Sequence, residues 1–251
     1  MNKKSLFIPE KLDAPKLHKR FYKAVSVVPD EDGFAIALDG RQLKSPSKRP
    51  LVFPTQALAD VVAQEWDAQA EHIVPTSMPL MALMATAVDR IGPERVVVTE
   101  QIAAYGGSDL LCYRAEGPAD LVALQAKAWD PWLTWIAEDV GASLRTTAGI
   151  IHVQQPDAAL EAITKAVDLF DDNRLSALSI ITAMGGSVVI GLAFLQGQIT
   201  AAKAYEAVTV DEAYQETTWG VDAEAAARRA GIRAEFLAAE HFLSLLPSRD
   251  Q

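Results

Sequence analysis

Carboxylates and tryptophans are the side chains whose types and spacing could support chemistry or binding in this sequence of 251 residues. Carboxyl groups such as those of Glu65 and Asp109 could act as acid and base in an acidic cleft between two domains, which would make the protein an enzyme. Three tryptophans, Trp129, Trp132 and Trp135, follow one another at i, i+3 and i+6. This pattern favours a stripe of core residues, but tryptophan is also enriched at protein-binding hot spots.

Acidic residues are also frequent toward the C-terminus of the chain. The predicted helices there carry Asp211, Glu212, Glu216, Asp222, Glu224, Glu235 and Glu240. Such a set forms either a solvated helix face or an acidic rim around a binding site. The composition alone leaves both interpretations open.

Motifs for metals and nucleotides are absent from the sequence. No two of the four histidines lie within ten residues of each other, and no HExxH or Cys/His cluster occurs, so we expect no metal site. Neither the phosphate-loop pattern GxxxxGKS/T nor the GxGxxG pattern is present, so we expect no nucleotide and no cofactor. The one cysteine, Cys112, lies in an apolar run and is expected to be a buried, inert thiol.

Composition and charge narrow the class of protein. Half of the residues are hydrophobic, which excludes a wholly disordered chain. The net charge is −10, and it is uneven: residues 1–50 carry +5 and residues 51–251 carry −15. Because phosphate binding needs a basic surface, the acidic body argues against nucleic acid as a partner.

Two segments bear on the location of the protein. In residues 1–10 the apolar run is too short for the core of a signal peptide, and the pattern of an organelle transit peptide is missing, so we expect a cytoplasmic bacterial protein.

Residues 175–202 contain no charge over 28 positions, which is long enough to span a bilayer. Their serines, threonine and glycines favour a buried helix, so we expect no membrane span.

The pattern of elements predicts an α+β fold with a small N-terminal α/β domain, residues 1–105, and a larger all-helical C-terminal domain, residues 106–251. Residues 23–53 resemble a short antiparallel sheet, with Asp39–Gly40 as a two-residue hairpin turn. Thr55 can cap a helix that runs to Ala70, and Gly92–Pro93 should end a second helix. In the second domain, helices are predicted over 118–129, 131–140, 157–170, 174–196, 200–217 and 222–246. Asp130 and Pro131 should begin the helix over 131–140. Residues 145–153 are expected to form a β-like stretch.

Eight segments in a fixed order carry a resemblance to a known family. They are KRFYK at 19–23, LDGRQLKSP at 38–46, LA and QEWDAQ across 58–69, IVPTSMPL at 73–80, SDLLCYR at 108–114, WDPWLTW at 129–135, the uncharged segment from 175 to 197, and EAYQETTWG at 212–220. Together they resemble the chaperones of F-type ATP synthase assembly that act on the α subunit.

The resemblance implies a function and a set of contact residues. It implies a non-enzymatic chaperone that binds the unassembled α subunit, prevents its aggregation and hands it to the β subunit, in the bacterial cytoplasm or, for organellar relatives, in the mitochondrial matrix. It also implies partner-binding residues, for which we select Glu65, Glu212, Gln215, Trp219 and Glu240. An enzyme with an acidic cleft between its domains is the alternative.

Overall fold

A three-stranded antiparallel sheet forms the β part of the N-terminal region. The computed structural model describes residues 17–248, so the prediction for residues 1–10 lies outside the described residues. Strands β1 (Val25–Asp30), β2 (Gly33–Leu38) and β3 (Arg41–Gln42) pair in chain order. Asp39 and Gly40 both have positive φ, 48° and 77°, as a tight turn between twisted strands requires. The predicted sheet and hairpin are therefore confirmed.

Helix α1 (Gln56–Asp67) covers this sheet with its apolar face. The hydroxyl of Thr55 accepts a hydrogen bond from the Leu58 amide at 3.1 Å, so Thr55 is the N-cap that the sequence predicts. Trp66 is buried and contacts Tyr22, whose hydroxyl donates to the Trp66 carbonyl at 2.6 Å. Trp66 therefore serves packing.

Helices α2 (Pro79–Thr86) and α3 (Gly92–Ala103) follow each other closely around the position where the sequence predicts a break. A wider, π-helical turn over Ala87–Ile91 joins them, and Gly92 has helical backbone angles. Pro93 lacks an amide hydrogen, and a turn with altered hydrogen bonding tolerates that loss better than a regular one. Glu94, directly after Gly92–Pro93, has non-helical backbone angles, φ −124° and ψ 29°, so a kink divides the helix there. The predicted break at Gly92–Pro93 is therefore confirmed.

The remainder of the chain is mostly helical, which confirms the α+β class. A two-stranded parallel ribbon joins β4 (Tyr113–Arg114) to β5 (Thr147–Ala148), so the β-like stretch is shorter than predicted. The helices are α4 (Ala119–Trp135), α5 (Asp157–Asp168), α6 (Asp172–Gly185), α7 (Val188–Leu195), α8 (Ala201–Val208), α9 (Val210–Trp219) and α10 (Ala223–Leu245).

Helix α4 passes through the position where two helices were expected. Pro131 lies inside it, and Asp130 forms an ion pair with Arg114 at 2.7 Å instead of capping a helix. Pro131 is exposed, so water can bond the carbonyl group that the missing amide leaves free. Trp129 is fully buried, and its indole donates to the Ala207 carbonyl at 2.7 Å, so the first tryptophan of the stripe belongs to the core.

Two predicted long helices are each divided in two. Gly186 ends α6 with φ 69°, and the hydroxyl of Ser187 accepts from the Ile190 amide to begin α7, in which all eight residues are buried. Thr209 separates α8 from α9. Within residues 17–248, no helix is both long and apolar enough to cross a membrane.

Helix α10 packs against helices from both the N-terminal and the C-terminal part of residues 17–248. It packs against α6 and α8 but also against α1 and α2, and the hydroxyl of Thr55 donates to the Leu245 carbonyl at 2.6 Å. Helix α3 packs on both α5 and α6. The hydrophobic core therefore continues past residue 105, and the predicted domain boundary at that position stays a prediction.

Candidate partner-binding site

Helix α9 brings three of the predicted contact residues onto one face. Glu212, Gln215 and Trp219 follow at i, i+3 and i+7, which is the spacing of neighbours along a helix. Gln215 is exposed, and 75% of the Trp219 surface remains accessible to solvent. We call these three residues the α9 surface. A tryptophan left this open offers a large apolar contact to a partner.

An adjacent face of α9 is attached to α4 by polar contacts. Asp211 accepts a hydrogen bond from the Gln125 side chain at 2.7 Å, and the Tyr214 hydroxyl donates to the Asp120 carboxylate at 3.0 Å. Every residue of α9 keeps part of its surface in solvent. Hydrogen bonds to α4, together with Val210 packed against the core, therefore orient this helix.

Two ion pairs join α9 to the first turns of α10. Arg228 contacts Glu212 at 2.9 Å, and Arg229 contacts Glu216. The carboxylate of Glu212 is therefore partly neutralised, whereas Gln215 and Trp219 lie free on the same face.

Glu65 lies elsewhere and acts on a helix terminus. Its two carboxylate oxygens accept hydrogen bonds from the amides of Leu80 and Met81, at 2.9 and 2.8 Å, so Glu65 caps the start of α2. Burial raises the pKa of Glu65, and these two amide bonds oppose that effect. The acceptor positions of this carboxylate are thus occupied within the molecule.

Glu240 also caps a helix. One carboxylate oxygen accepts from the Ala201 amide at 2.8 Å, which completes the N-terminus of α8. Glu240 lies three turns further along α10 than Arg228, about 18 Å away. The structure therefore brings Glu212, Gln215 and Trp219 together and leaves Glu65 and Glu240 apart from them.

Asp109, the other carboxyl considered for acid–base chemistry, is fully buried. It accepts hydrogen bonds from the amides of Leu111 and Val189, both at 3.1 Å, and so holds the start of α7 against the preceding chain. Burial raises its pKa to about 6. Like Glu65, it is engaged by backbone amides rather than directed into an open cleft.

Metal-binding groups, the single thiol and one surface groove are the remaining features that could bind or react with a small ligand. No group of three or more His, Cys, Asp or Glu residues that could hold a metal is found within residues 17–248. Cys112 is buried, and burial raises its thiol pKa to about 12, which fits the expected inert thiol. An open groove of about 530 Å³ between α8, α9 and α10 is lined partly by Arg229, Arg233 and Leu237.

Sequence reasoning missed Gln125 and the exposure of Ile150 and Ile151. Gln125 lies one turn before Trp129 on α4, and a polar residue in phase with a buried tryptophan is the signal that could have identified it. Ile150 and Ile151 lie in a stretch that was expected to be β, where alternate side chains would be buried. The paired strand instead ends at Ala148.

Known proteins similar to this chain are found both by sequence and by structure. A family model described as "ATP12 chaperone protein" matches residues 19–137. The fold is similar to the crystal structure of Atp12 from Paracoccus denitrificans, with a TM-score of 0.85, 38% sequence identity, and coverage of 92% of this chain and 99% of that chain. The Atu1473 protein from Agrobacterium tumefaciens gives a TM-score of 0.84 at 40% identity, covering 91% of this chain and 86% of that one. Mitochondrial protein atp12 from Schizosaccharomyces pombe is 25% identical over 214 residues, covering 80% of this chain and 74% of its own length.

Proposed function

Because the chain belongs to the ATP12 family of chaperones, which act in ATP synthase assembly, we propose that it binds the unassembled α subunit of F-type ATP synthase. In this role it keeps the subunit from aggregating and hands it to the β subunit during assembly of the catalytic hexamer. The observation that carries the proposal is the match to Paracoccus Atp12 along nearly the whole of both chains.

The physical chemistry of such a partner suits a chaperone without an energy source. A subunit made for a ring exposes an apolar interface before assembly, and a patch of several hundred Å² or more promotes aggregation. A reversible cover must bind more weakly than the true neighbour, so that the β subunit displaces it. This role needs no nucleotide, cofactor or catalytic residue.

We place the contact first on the α9 surface. Trp219 supplies exposed apolar area, and Gln215 and Glu212 supply hydrogen-bonding groups beside it. Glu240 and Glu65 are proposed as further contacts with less support, because their carboxylates already cap α8 and α2. The structure favours α9 because Gln215 and Trp219 are exposed on it.

The proposed location is the bacterial cytoplasm. The Schizosaccharomyces pombe relative is named as mitochondrial, and we propose that organellar relatives act in the matrix.

The test is aggregation of the isolated α subunit, followed by light scattering. We expect near-stoichiometric amounts of the chaperone to suppress scattering without nucleotide and to form a complex with the α subunit on gel filtration. The β subunit alone is the matched control and should form no complex. Equal aggregation with and without the chaperone, together with no complex, would overturn the proposal.

A further inference from the structure

Exposed apolar side chains are concentrated around the N-terminus of α4. Twelve large apolar side chains are exposed among residues 17–248, and six of them belong to three segments that include α4 or lie beside its first turns. We call these six the apolar end: Val122, Leu124, Ile150, Ile151, Trp219 and Val221.

The contacts between α4 and α9 place Trp219 at this end. Asp211 pairs with Gln125, and Tyr214, further along α9, pairs with Asp120, nearer the start of α4, so the two helices are antiparallel. Trp219 follows Tyr214 by five residues, about 7.5 Å of helix. Because α4 begins at Ala119, the end of α9 and Val221 extend past the start of α4.

The loop after β5 places two isoleucines at the same end. The Gly149 amide donates to the Arg114 carbonyl at 2.9 Å, and a Cβ on Gly149 would lie 3.2 Å from the Glu116 side chain. Glu116 precedes α4 by three residues. Ile150 and Ile151, which directly follow, are 99% and 76% exposed.

Hydrogen bonds close the base of the loop that carries Ile150 and Ile151. The buried Gln155 side chain accepts from the Arg145 amide at 2.8 Å and donates to the Arg145 carbonyl at 2.9 Å. The Tyr113 hydroxyl and His152 Nδ1 are 3.0 Å apart, within hydrogen-bond distance. The two isoleucines are therefore presented by a closed loop, and little ordering is needed before they contact a partner.

Acidic side chains surround the apolar end. The segments 116–124, 149–151 and 211–225 contain no Lys or Arg and seven carboxylates: Glu116, Asp120, Asp211, Glu212, Glu216, Asp222 and Glu224. Four bases lie close to this end. Arg228 and Arg229 on α10 pair with Glu212 and Glu216. Lys127 follows Leu124 by one turn of α4, and Arg145 lies at the base of the loop that carries Ile150 and Ile151. A partner surface that fits this end is apolar in its centre and bordered by Lys or Arg.

We propose that the apolar end is the docking surface for the unassembled ATP synthase subunit, at an apolar patch of that subunit bordered by basic side chains. The inference rests on the proposed function. It adds the start of α4 and the loop that carries Ile150 and Ile151 to the proposed contact surface. A second copy of this chain is disfavoured as the occupant because it would set like charges against each other.

The first test replaces the isoleucines and uses exposed residues elsewhere as controls. The variant is Ile150→Ser with Ile151→Ser; the control is Leu169→Ser with Val96→Ser, whose side chains are 76% and 71% exposed at the junction of α3, α5 and α6. We expect the isoleucine variant to bind the α subunit roughly thirtyfold more weakly, the loss typical of hot-spot residues. The control should bind as the unsubstituted protein does.

The outcomes separate the two proposals. If the unsubstituted protein binds the α subunit and the isoleucine variant binds equally well, the docking surface is wrong and the function stands. If the unsubstituted protein binds no ATP synthase subunit, the proposed function fails and the docking surface fails with it. Circular dichroism checks the fold of each variant.

A labelling experiment gives an independent reading of the same surface. Because Cys112 is buried, Ile150→Cys can be labelled selectively with an environment-sensitive dye, with Leu169→Cys as the control. We expect added α subunit to shift the emission of the dye at position 150 to the blue and to leave position 169 unchanged. The same shift on addition of unlabelled chaperone alone would identify an interface between copies and overturn the proposal.

Discussion

The Gln125 side chain on α4 donates a hydrogen bond to Asp211 on α9 at 2.7 Å, and it also accepts one from the Ala115 amide at 2.8 Å. Gln125 is only 2% exposed. One buried amide group therefore connects the chain that precedes α4 with the helix that carries the α9 surface. The position of that surface depends on a polar group that is itself hidden from any partner.

Replacing this amide should loosen α9. In Gln125→Leu, the Ala115 amide loses its acceptor and Asp211 loses its donor, so we expect the free energy of unfolding to fall by about 1–3 kcal/mol. Amide hydrogen exchange in Val210–Trp219 should rise more than exchange in α6. Urea unfolding and exchange mass spectrometry measure the two effects. Gln215→Leu, at an exposed position of α9, is the control and should change stability by less than about 0.5 kcal/mol.

The exposed tryptophan should matter for binding and not for folding. Trp219→Ala should weaken α-subunit binding by at least about tenfold, because Trp219 is a large open side chain at the proposed contact. Its thermal midpoint should match that of the unsubstituted protein. Titration calorimetry and thermal unfolding provide the two readings, and unchanged affinity would remove Trp219 from the contact.

The buried tryptophan should behave in the opposite way. Trp66→Arg places a charge in the apolar space between α1 and the sheet, so we expect a loss of about 3–5 kcal/mol or failure to fold. Soluble yield and urea unfolding test this expectation. Trp219→Arg introduces the same charge at an open position and should fold normally.

Glu240 allows capping and recognition to be separated. Glu240→Lys removes the acceptor for the Ala201 amide and sets a positive charge at the start of α8, so we expect a loss of about 1 kcal/mol in stability. The substitution should also impair α-subunit binding if the carboxylate touches the partner. Glu240→Gln keeps an acceptor oxygen and removes the charge, so weaker binding with unchanged stability would assign Glu240 to the contact. Full binding by both variants would remove it.

Asp109 should give the protein a recognisable pH dependence. Burial raises the pKa of Asp109 in the folded protein to about 6, above the ordinary value of an aspartate, roughly 4, so the folded state holds the proton more tightly than the unfolded state between these values. Stability from this group is therefore largest at low pH and falls as the pH rises from about 4 to about 6, by up to roughly 3 kcal/mol. The difference in unfolding free energy between the unsubstituted protein and Asp109→Asn should fall over that range and be flat above it. A flat difference throughout would contradict the expectation.

Local sequence signals predicted the elements that depend on local interactions. Thr55 caps α1 and Asp39–Gly40 forms the hairpin, because each is decided by a side chain and its near neighbours in the sequence. Pro131 was misjudged because α4 continues past a missing amide bond on its exposed side. The break at Gly186 was missed because glycine and serine occur both inside buried helices and at helix ends.

The candidate site was predictable only in part, because some of its residues contact distant parts of the chain. The motif that contains Glu212, Gln215 and Trp219 lies within one helix, so its helical spacing placed all three on one face. Glu65 and Glu240 accept hydrogen bonds from amides 15 residues later and 39 residues earlier in the chain, and no local pattern encodes such a contact. The exposure of Ile150 depends on where β5 stops pairing, which is a property of the folded chain.

The bond from the Thr55 hydroxyl to the Leu245 carbonyl spans 190 positions of the sequence. Its consequence concerns synthesis on the ribosome, where the N-terminal part emerges first. Helices α1 and α2 bury part of their surface against α10, so they cannot complete their packing until α10 has left the exit tunnel. The N-terminal sheet and its covering helix therefore reach their final packing only after residue 245 has been synthesised and released from the tunnel.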